Sequence, residues 1–226
     1  MNFKDIEKIY CLSLKRREDR RVLVSEILNN HSIDFEFFDA IDGEMYHFER
    51  KTKWSKVAKS GALGIIQSYI EILTDAKSLG LSNFLIFEDD VELKNTFRED
   101  VDVFLNNVPQ DWDIIYFGGN HITHFPIPIN KHVSRCVSTR ATQAVIFRET
   151  CYDKVLHRLG SFELPSDETL ANMQRFEEVI AYVPVPPLAW QFASYSDIEE
   201  DYADYYFLKT WSEDDYIEHR KELYES

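Results

Sequence analysis

The feature that most constrains the fold of this sequence is a regular alternation of short apolar runs with stretches of helical periodicity. The run at residues 84–87 contains only Phe, Leu and Ile, as is typical of strands covered on both faces. The helical stretch before it, residues 62–77, ends at Leu79-Gly80. Other segments read in the same way as strands at 9–12, 35–38, 114–117, 144–147 and 179–183, and as helices at 18–28, 101–105, 149–159 and from 167. This rhythm predicts an α/β fold with a mostly parallel sheet.

Composition excludes several classes of protein. The 226 residues carry 25 Lys and Arg against 40 Asp and Glu, a net charge of −15 that disfavours binding of nucleic acid through its phosphates. The first 14 residues mix charges with apolar residues and predict no signal peptide. Residues 114–130, the longest stretch without a charged side chain, contain Gly and Pro, so no membrane span is expected. Three cysteines without a C-x-x-C pair complete the expectation of a soluble, cytoplasmic protein.

The charge is unevenly distributed along the chain. Residues 197–226 hold 11 acids and 3 bases, interleaved with aromatic side chains. We expect residues 199–226 to form an acidic helical extension that packs on the domain, joins two subunits of a homodimer, or docks a basic partner. Cations concentrate at residues 15–21 and 50–59, which indicates either solvated surface or local positive potential for an anion.

Three adjacent carboxylates, Glu88, Asp89 and Asp90, directly follow the apolar run at 84–87. Ligands of open α/β sheets bind beyond the carboxyl ends of the strands. Adjacent carboxylates repel one another, and a hard divalent cation such as Mg²⁺ or Mn²⁺ would compensate them. The alternative is an acidic loop or helix cap that faces water.

The residues after the first predicted strand exclude several nucleotide-binding folds. Dinucleotide and P-loop sites need glycines there so that the backbone can approach phosphate, and this chain has a run of Lys and Arg from Lys15 to Arg21 instead. A bound diphosphate would therefore be neutralised by a metal and by cationic side chains.

An ordered set of segments carries a resemblance to a known family. The segments are 10–20 (YCLSLKRREDR), 38–43 (FDAIDG), 61–64 (GALG) with Ser68, 87–91 (FEDDV), 113–119 (DIIYFGG), 164–170 (LPSDETL) and 196–198 (SDI). In order and spacing they are similar to glycosyltransferase family 25, which holds lipooligosaccharide and collagen β-galactosyltransferases. The likeness spans roughly residues 6–198.

The resemblance implies a fold and a reaction. The fold would be a Rossmann-like GT-A domain over residues 1–198, with a mixed, mostly parallel sheet flanked by helices. The reaction would be the inverting transfer of a hexosyl group, galactose or glucose, from a UDP-sugar to a hydroxyl of a glycan or glycoconjugate, as in lipopolysaccharide biosynthesis. Mn²⁺, or Mg²⁺, would be required as a Lewis acid.

The resemblance also implies site residues. Glu88 and Asp90 would be the ends of a DxD-type motif and ligate the metal, with Asp89 in support. Asp167 would be the catalytic base and Glu168 its alternate, although both acids would also suit a helix start. The implied donor-binding residues are Leu12, Ser13, Leu14, Asp42 and Gly43 for uridine and ribose, Arg17 and Arg20 for phosphate or as plain surface, and Gly61, Gly64 and Ser68 at a helix start.

Some positions depart from the family pattern. The family usually has Asn where this chain has Ser13, and His where it has Tyr69. Many GT-A enzymes add a late histidine to the metal site, but residues 184–196 contain none, so Gln191, His121 or His124 would take its place. Trp190 and Phe192 would stack on a sugar or belong to the core. Besides a transferase, the sequence allows a non-catalytic nucleotide- or glycan-binding module on the same fold, while a phosphotransferase lacks any acceptor context.

Overall fold

The fold is seen in a computed structural model, which describes residues 1–121, 124–198, 200–205 and 207–210. Its strands are β1 (Ile9–Ser13), β2 (Glu36–Asp39), β3 (Asn83–Glu88), β4 (Val91–Leu93), β5 (Ile114–Tyr116), β6 (Ile127–Pro128), β7 (Ser134–Arg135), β8 (Ala144–Arg148), β9 (Ala181–Val183), β10 (Ala189–Gln191), β11 (Ser194–Ser196) and β12 (Asp201–Ala203). Its helices are α1 (Glu18–Asn30), α2 (Ser60–Ser78), α3 (Phe97–Asn107), α4 (Tyr152–Leu159), α5 (Ser166–Arg175) and α6 (Phe207–Thr210), with 3₁₀ turns at Phe3–Asp5 and Glu149–Cys151.

Eight strands form one central sheet in the order β2-β1-β3-β8-β5-β9-β7-β6. The pairs β1–β2, β1–β3 and β5–β9 are parallel. Strands β8 and β7 are antiparallel to their neighbours, so the other six strands of this sheet share one direction. The predicted mixed, mostly parallel α/β sheet flanked by helices is confirmed.

Alternate side chains of the central strands enter two different cores. On β3, Leu85 and Phe87 pack in the core that contains residues of α1 and α3. Phe84 and Ile86 pack in the core that contains residues of α2, α4 and α5. All four side chains have no exposed surface, which confirms that this run is a strand covered on both faces.

The longest helix, α2, forms as its apolar periodicity predicts. Its inward positions include Ile66, Tyr69 and Leu73, each with no exposed surface. The helix ends at a left-handed glycine, Gly80, whose φ is 68°, a conformation that glycine adopts without steric penalty. No helix in the described ranges is both long enough and apolar enough to cross a lipid bilayer.

Strand direction brings residues from distant parts of the sequence to one edge of the sheet. Leu12 near the end of β1 pairs with Glu88 at the end of β3. Because β8 is antiparallel, its first residue, Ala144, pairs with Phe87, so the segment before β8 reaches the same edge. The predicted C-terminal extension, residues 199–226, falls mostly outside the described residues, which include β12 and α6 from it.

Candidate active site

The acidic turn, which we define as Glu88, Asp89 and Asp90, connects β3 to β4. Glu88 is oriented by two hydroxyl groups that donate hydrogen bonds to its Oε1. One comes from Tyr69 on α2 at 2.9 Å, and the other is Oγ1 of Thr142, before β8, at 2.7 Å. Two separate elements thus fix the first carboxylate of the turn.

Asp89 belongs to a buried ion pair. Its Oδ1 accepts a hydrogen bond from Nη1 of Arg20 at 2.7 Å, and its Oδ2 accepts one from Oγ of Ser13 at 2.6 Å. Nη2 of Arg20 donates to Oγ of Ser194 at 2.6 Å and to the carbonyl of Tyr195 at 2.8 Å. The side chains of Asp89 and Arg20 are each only 10% exposed. Asp89 therefore ties the acidic turn to β1, α1 and β11.

Asp90 differs from its two neighbours because one of its oxygens is left without a donor. Oδ1 is buried and accepts no hydrogen bond from the described residues. Oδ2 lies 3.4 Å from Nε2 of Gln191 and 3.6 Å from Nη1 of Arg20. A buried carboxylate oxygen without a donor is destabilising unless a cation or another group satisfies it.

Burial makes the ionised forms of Glu88 and Asp90 unfavourable. Burial, and then the charge of Asp90, raises the pKa of Glu88 to about 8. Burial also raises the pKa of Asp90 to about 6, with the charge of Asp89 adding to this effect and the Arg20 guanidinium opposing it. Two carboxylates with raised pKa values in one cleft are typical of a functional site.

A divalent cation fits this donor set. Within the described ranges no three or more His, Cys, Asp or Glu side chains are grouped so that they could hold an ion by themselves. Mg²⁺ and similar hard cations are often held by one or two carboxylates, with waters and substrate phosphates completing the shell. Glu88 and the open oxygen of Asp90 match that pattern, and their assignment as metal ligands stays a prediction.

The acidic turn lies in a cleft of about 960 Å³. Most of the residues implied by the family resemblance line it. They are Leu12, Ser13, Leu14, Arg20, Asp42, Gly43, Gly61, Ser68, Glu88, Asp89, Asp90 and Asp167. Arg17, Gly64 and Glu168 are not among the lining residues.

The arginines after β1 are engaged with carboxylates. The guanidinium of Arg17, whose side chain is 14% exposed, donates to Asp19 at 2.9 Å and to Asp197 at 2.5 Å. Arg20 is buried in the pair described above, so neither is plain surface. Arg16, which the sequence analysis did not single out, lines the cleft and donates to Asp42 at 2.7 Å and to Asp197 at 2.8 Å. Although burial acts to raise it, Arg16 and Arg17 lower the pKa of Asp197.

The glycines at the start of α2 serve close contacts between chain segments. A Cβ on Gly61 would lie 2.6 Å from the carbonyl oxygen of Asp197, and one on Gly64 would lie 2.5 Å from that of Ile41. Oγ of Ser68 accepts the N–H of Ile41 at 2.8 Å. These residues hold the loop after β2 and the turn after β11 against the helix.

At the start of α5 the two acids have different surroundings. Glu168 is held by Arg140, whose Nε and Nη2 lie 2.6 Å and 3.0 Å from its two carboxylate oxygens. Oδ1 of Asp167 accepts the N–H of Glu168 at 2.8 Å, and Asp167 lines the cleft. This geometry favours Asp167 over Glu168 as a group that reaches an acceptor.

Residues just before β8 contribute to the cleft and carried no recognisable sequence signal. Arg140, Ala141 and Thr142 line it, and Ala141 has a left-handed φ of 64°, an uncommon conformation for a residue with a Cβ. They were missed because a search for ligand-binding residues after the strands assumes parallel strands, and β8 is antiparallel.

The candidates for a late metal ligand and for sugar stacking lie in several environments. Gln191 lines the cleft beside Asp90. His121 is 4% exposed and outside the cleft lining, with Nδ1 3.1 Å from Oγ1 of Thr139, and burial lowers its pKa to about 3. Trp190, 5% exposed, packs under the Lys209 ammonium, and it is not among the lining residues. His124 and Phe192 do not line the cleft either.

Comparison with known proteins identifies relatives over most of this fold. The model of glycosyltransferase family 25 (LPS biosynthesis protein) matches residues 6–166. Human procollagen galactosyltransferase 2 is 27% identical over 128 residues, which are 50% of this chain and 20% of that protein. A glycosyltransferase 25 family member of Drosophila melanogaster is 27% identical over 147 residues, 58% of this chain and 24% of that protein.

Two further comparisons are with a relative that is named inactive and with a solved structure. The human inactive glycosyltransferase 25 family member 3 is 26% identical over 132 residues, 51% of this chain and 22% of that protein. The matched regions thus span about a quarter or less of these relatives. A solved glycosyltransferase involved in the glycosylation of the major capsid of PBCV-1 has a TM-score of 0.45 and 13% identity, covering 78% of this chain and 81% of that one.

Proposed function

The chain belongs to glycosyltransferase family 25, and from this premise we propose that it is a metal-dependent, inverting hexosyltransferase. In this proposal it moves galactose or glucose from a UDP-sugar to a hydroxyl of a glycan or glycoconjugate. The observation that carries the proposal is the open Oδ1 of Asp90, which is buried in a cleft of about 960 Å³. Such a volume is in the range of small-molecule sites.

The acidic turn supports the metal-binding part of the proposal. Asp90 and Glu88 would hold Mn²⁺ or Mg²⁺, and Asp89 would keep the turn in place through Arg20 and Ser13. When bound, such an ion supplies Lewis-acid stabilisation of the charge on the departing diphosphate. Ser13 and Tyr69, two residues that differ from the usual family residues, both donate to the acidic turn.

Binding of the donor would involve cleft residues at the end of β1 and in the loops after β1 and β2. Leu12, Leu14 and the Asp42-Gly43 loop line the space next to the acidic turn, where they would contact uridine and ribose. Arg16 is half exposed and lines the same cleft. Although it also donates to Asp42 and Asp197, its exposure places it better for a phosphate than Arg17, which is outside the lining, or Arg20, whose side chain is only 10% exposed.

Asp167 would act as the base that removes the proton from the acceptor hydroxyl. Its Oδ1 accepts a hydrogen bond from a backbone N–H and Asp167 lines the cleft, while Glu168 is paired with Arg140. General-base catalysis needs a carboxylate within hydrogen-bonding reach of the hydroxyl that it activates. The position of Asp167 satisfies this requirement better than that of Glu168.

A second candidate function is a nucleotide- or glycan-binding module without turnover. It is favoured by the likeness to a relative named inactive, whose identity of 26% is close to the 27% found for a named galactosyltransferase. Overall likeness therefore does not separate the two functions, and a measurement of turnover does.

The test is a thermal-shift panel of nucleoside diphosphates with and without Mn²⁺, followed by assays of UDP release from UDP-galactose and UDP-glucose. Uridine diphosphate at about 100 times its Kd should raise the free energy of unfolding by about 2.7 kcal/mol, and only with the metal. Asp90→Asn should abolish both the metal-dependent shift and UDP release. Asp34→Asn, at an exposed position between α1 and β2, is the matched control and should change neither.

The outcomes separate the two functions. A metal-dependent shift with UDP release supports the transferase. A shift without release from either sugar nucleotide supports the binding module. If no uridine nucleotide gives a metal-dependent shift, the donor assignment is wrong.

A further inference from the structure

The segment between β2 and α2 is basic within an acidic chain. We define the basic segment as residues 44–59, which contain five cations and two carboxylates in a chain of net charge −15. Lys51 pairs with Glu49 and Lys59 with Glu200. Lys53 and Lys56 are exposed, and in the described ranges neither ammonium group forms a hydrogen bond or ion pair.

The same segment carries the two most exposed large apolar side chains in the described part of the chain. Met45 is 86% exposed and Val57 is 81% exposed. Tyr46, next to Met45, is 44% exposed. Single exposed apolar residues are common, but here they coincide with the densest group of cations that the proposed reaction does not use.

The basic segment is held in shape by its own hydrogen bonds. Nη1 of Arg50 donates to the carbonyls of Ser55 and Ala58 at 3.0 Å and 2.6 Å. Oγ1 of Thr52 donates to the carbonyl of Phe162 at 2.5 Å and accepts the N–H of Ser55 at 3.0 Å. Lys53, Lys56 and Val57 therefore lie in a hydrogen-bonded loop that is anchored to the domain.

This loop also forms part of the cleft. Glu44, Trp54, Ala58 and Lys59 line it, so a surface that meets the basic segment would lie next to the opening of the site. The position of the basic segment beside the cleft is the same whichever sugar the protein transfers.

From these observations we propose that the basic segment docks the protein onto an anionic lipid bilayer. Cations attract the negative surface of such a membrane, and exposed Met and Val side chains enter the boundary between headgroups and acyl chains. A soluble polyanion would satisfy the lysines and leave Met45 and Val57 in water, so charge and apolar exposure together favour the membrane. The cleft would then face acceptors that are anchored in the bilayer.

The experiment is sedimentation of the full chain with vesicles of phosphatidylcholine alone or with 30% phosphatidylglycerol, the latter composition being about one anionic lipid in three. We expect binding only to the anionic vesicles, weakened by 0.5 M NaCl because salt screens exposed charges to about 4 Å. Lys53→Glu with Lys56→Glu should lower the partition coefficient at least about 20-fold, since each cation near the surface contributes about fivefold. Met45→Ser with Val57→Ser should lower it about tenfold or more.

The matched control is Lys4→Glu with Lys131→Glu, which makes the same change of charge at exposed positions outside the segment. It should lower binding less than threefold. Loss of binding with the lysine variant but not with the Met45 and Val57 variant would indicate a soluble polyanion as the partner and overturn the proposal. Equal losses in the control, or no binding of wild type, would also overturn it. Binding by a catalytically inactive Asp90→Asn variant should be unchanged, so failure of the transferase proposal would be seen separately.

Discussion

Two regions of the molecule, the acidic turn after β3 and the start of α5, each place adjacent carboxylates close together, but they differ in how deeply these are buried. In each, an arginine holds one carboxylate and the neighbouring carboxylate remains available to the cleft. In the acidic turn Arg20 holds Asp89, and the open oxygen belongs to Asp90. In each region an arginine thus neutralises one of the adjacent negative charges, so a bound ligand would not have to neutralise both.

The start of α5 repeats this arrangement nearer to solvent. Arg140 holds Glu168 and leaves Asp167 in the cleft lining. The side chains of Arg140 and Glu168 are 29% and 26% exposed, against 10% for each partner of the Arg20–Asp89 pair. The free-energy cost of leaving a charge without its partner rises with burial. Removal of Arg20 should therefore destabilise the protein much more than removal of Arg140.

The largest expected effect is that of Arg20→Gln. It leaves Asp89 buried with Ser13 as its remaining side-chain donor and removes the bonds to Ser194 and Tyr195. We expect the free energy of unfolding to fall by about 3–5 kcal/mol, as when one partner of a buried pair is removed. Urea denaturation at pH 7 measures it.

The matched control for that change is Arg140→Gln in the shallower pair. The loss should be about 1 kcal/mol or less, because partly exposed pairs contribute little. Adding Asp89→Asn to the Arg20→Gln variant should recover part of its loss, since the stranded charge is removed. If the two arginine variants lost equal free energy of unfolding, depth of burial would not distinguish the two regions.

The second prediction sets the two acids of α5 against each other. Asp167→Asn should lower turnover about 10²–10⁴-fold, the range for loss of a general base, whereas Glu168→Gln should change it only a few-fold. Both variants are measured as Mn²⁺-dependent hydrolysis of UDP-galactose, in which water stands in for the acceptor. A larger loss from Glu168→Gln than from Asp167→Asn would show that Arg140 holds the base itself.

The two regions also differ in how far the sequence predicted them. The buried strand at 84–87 and the acids after it were readable because apolar character on both faces and strand-end placement are local signals. The predicted elements from β1 to α5 are present in the described chain. What local signals could not show is which of the three acids keeps an open oxygen, because this depends on donors from Ser13, Arg20 and Thr142.

The residues before β8 that reach the site could not be predicted from the sequence, for a different reason. Periodicity predicts a strand but not its direction. Since β8 is antiparallel, Arg140 and Thr142 reach the site from the residues that precede the strand. Arg16 was overlooked because charge runs give no information on which cation faces the cleft.

The burial that distinguishes the acidic turn also predicts a dependence of stability on pH. The pKa of Glu88 is raised by burial from 4.5 to about 8, and burial raises that of Asp90 from 3.8 to about 6. Between about pH 5 and pH 8 the folded protein keeps protons that the unfolded chain releases. The free energy of unfolding of the metal-free protein should therefore fall as the pH rises through this window.

The smallest predicted effect tests this directly with Glu88→Gln. The amide oxygen can still accept the hydrogen bonds from Tyr69 and Thr142, but the side chain no longer has to ionise. At pH 8 in EDTA the variant should be more stable than wild type by on the order of 2 kcal/mol, and at pH 5 by much less. Glu26→Gln, at an exposed position of α1, removes the same charge and should show no such pH-dependent gain. If the free energies of unfolding of wild type and Glu88→Gln changed in parallel between pH 5 and pH 8, burial would not disfavour the ionised form of Glu88, and this difference from the start of α5 would be lost.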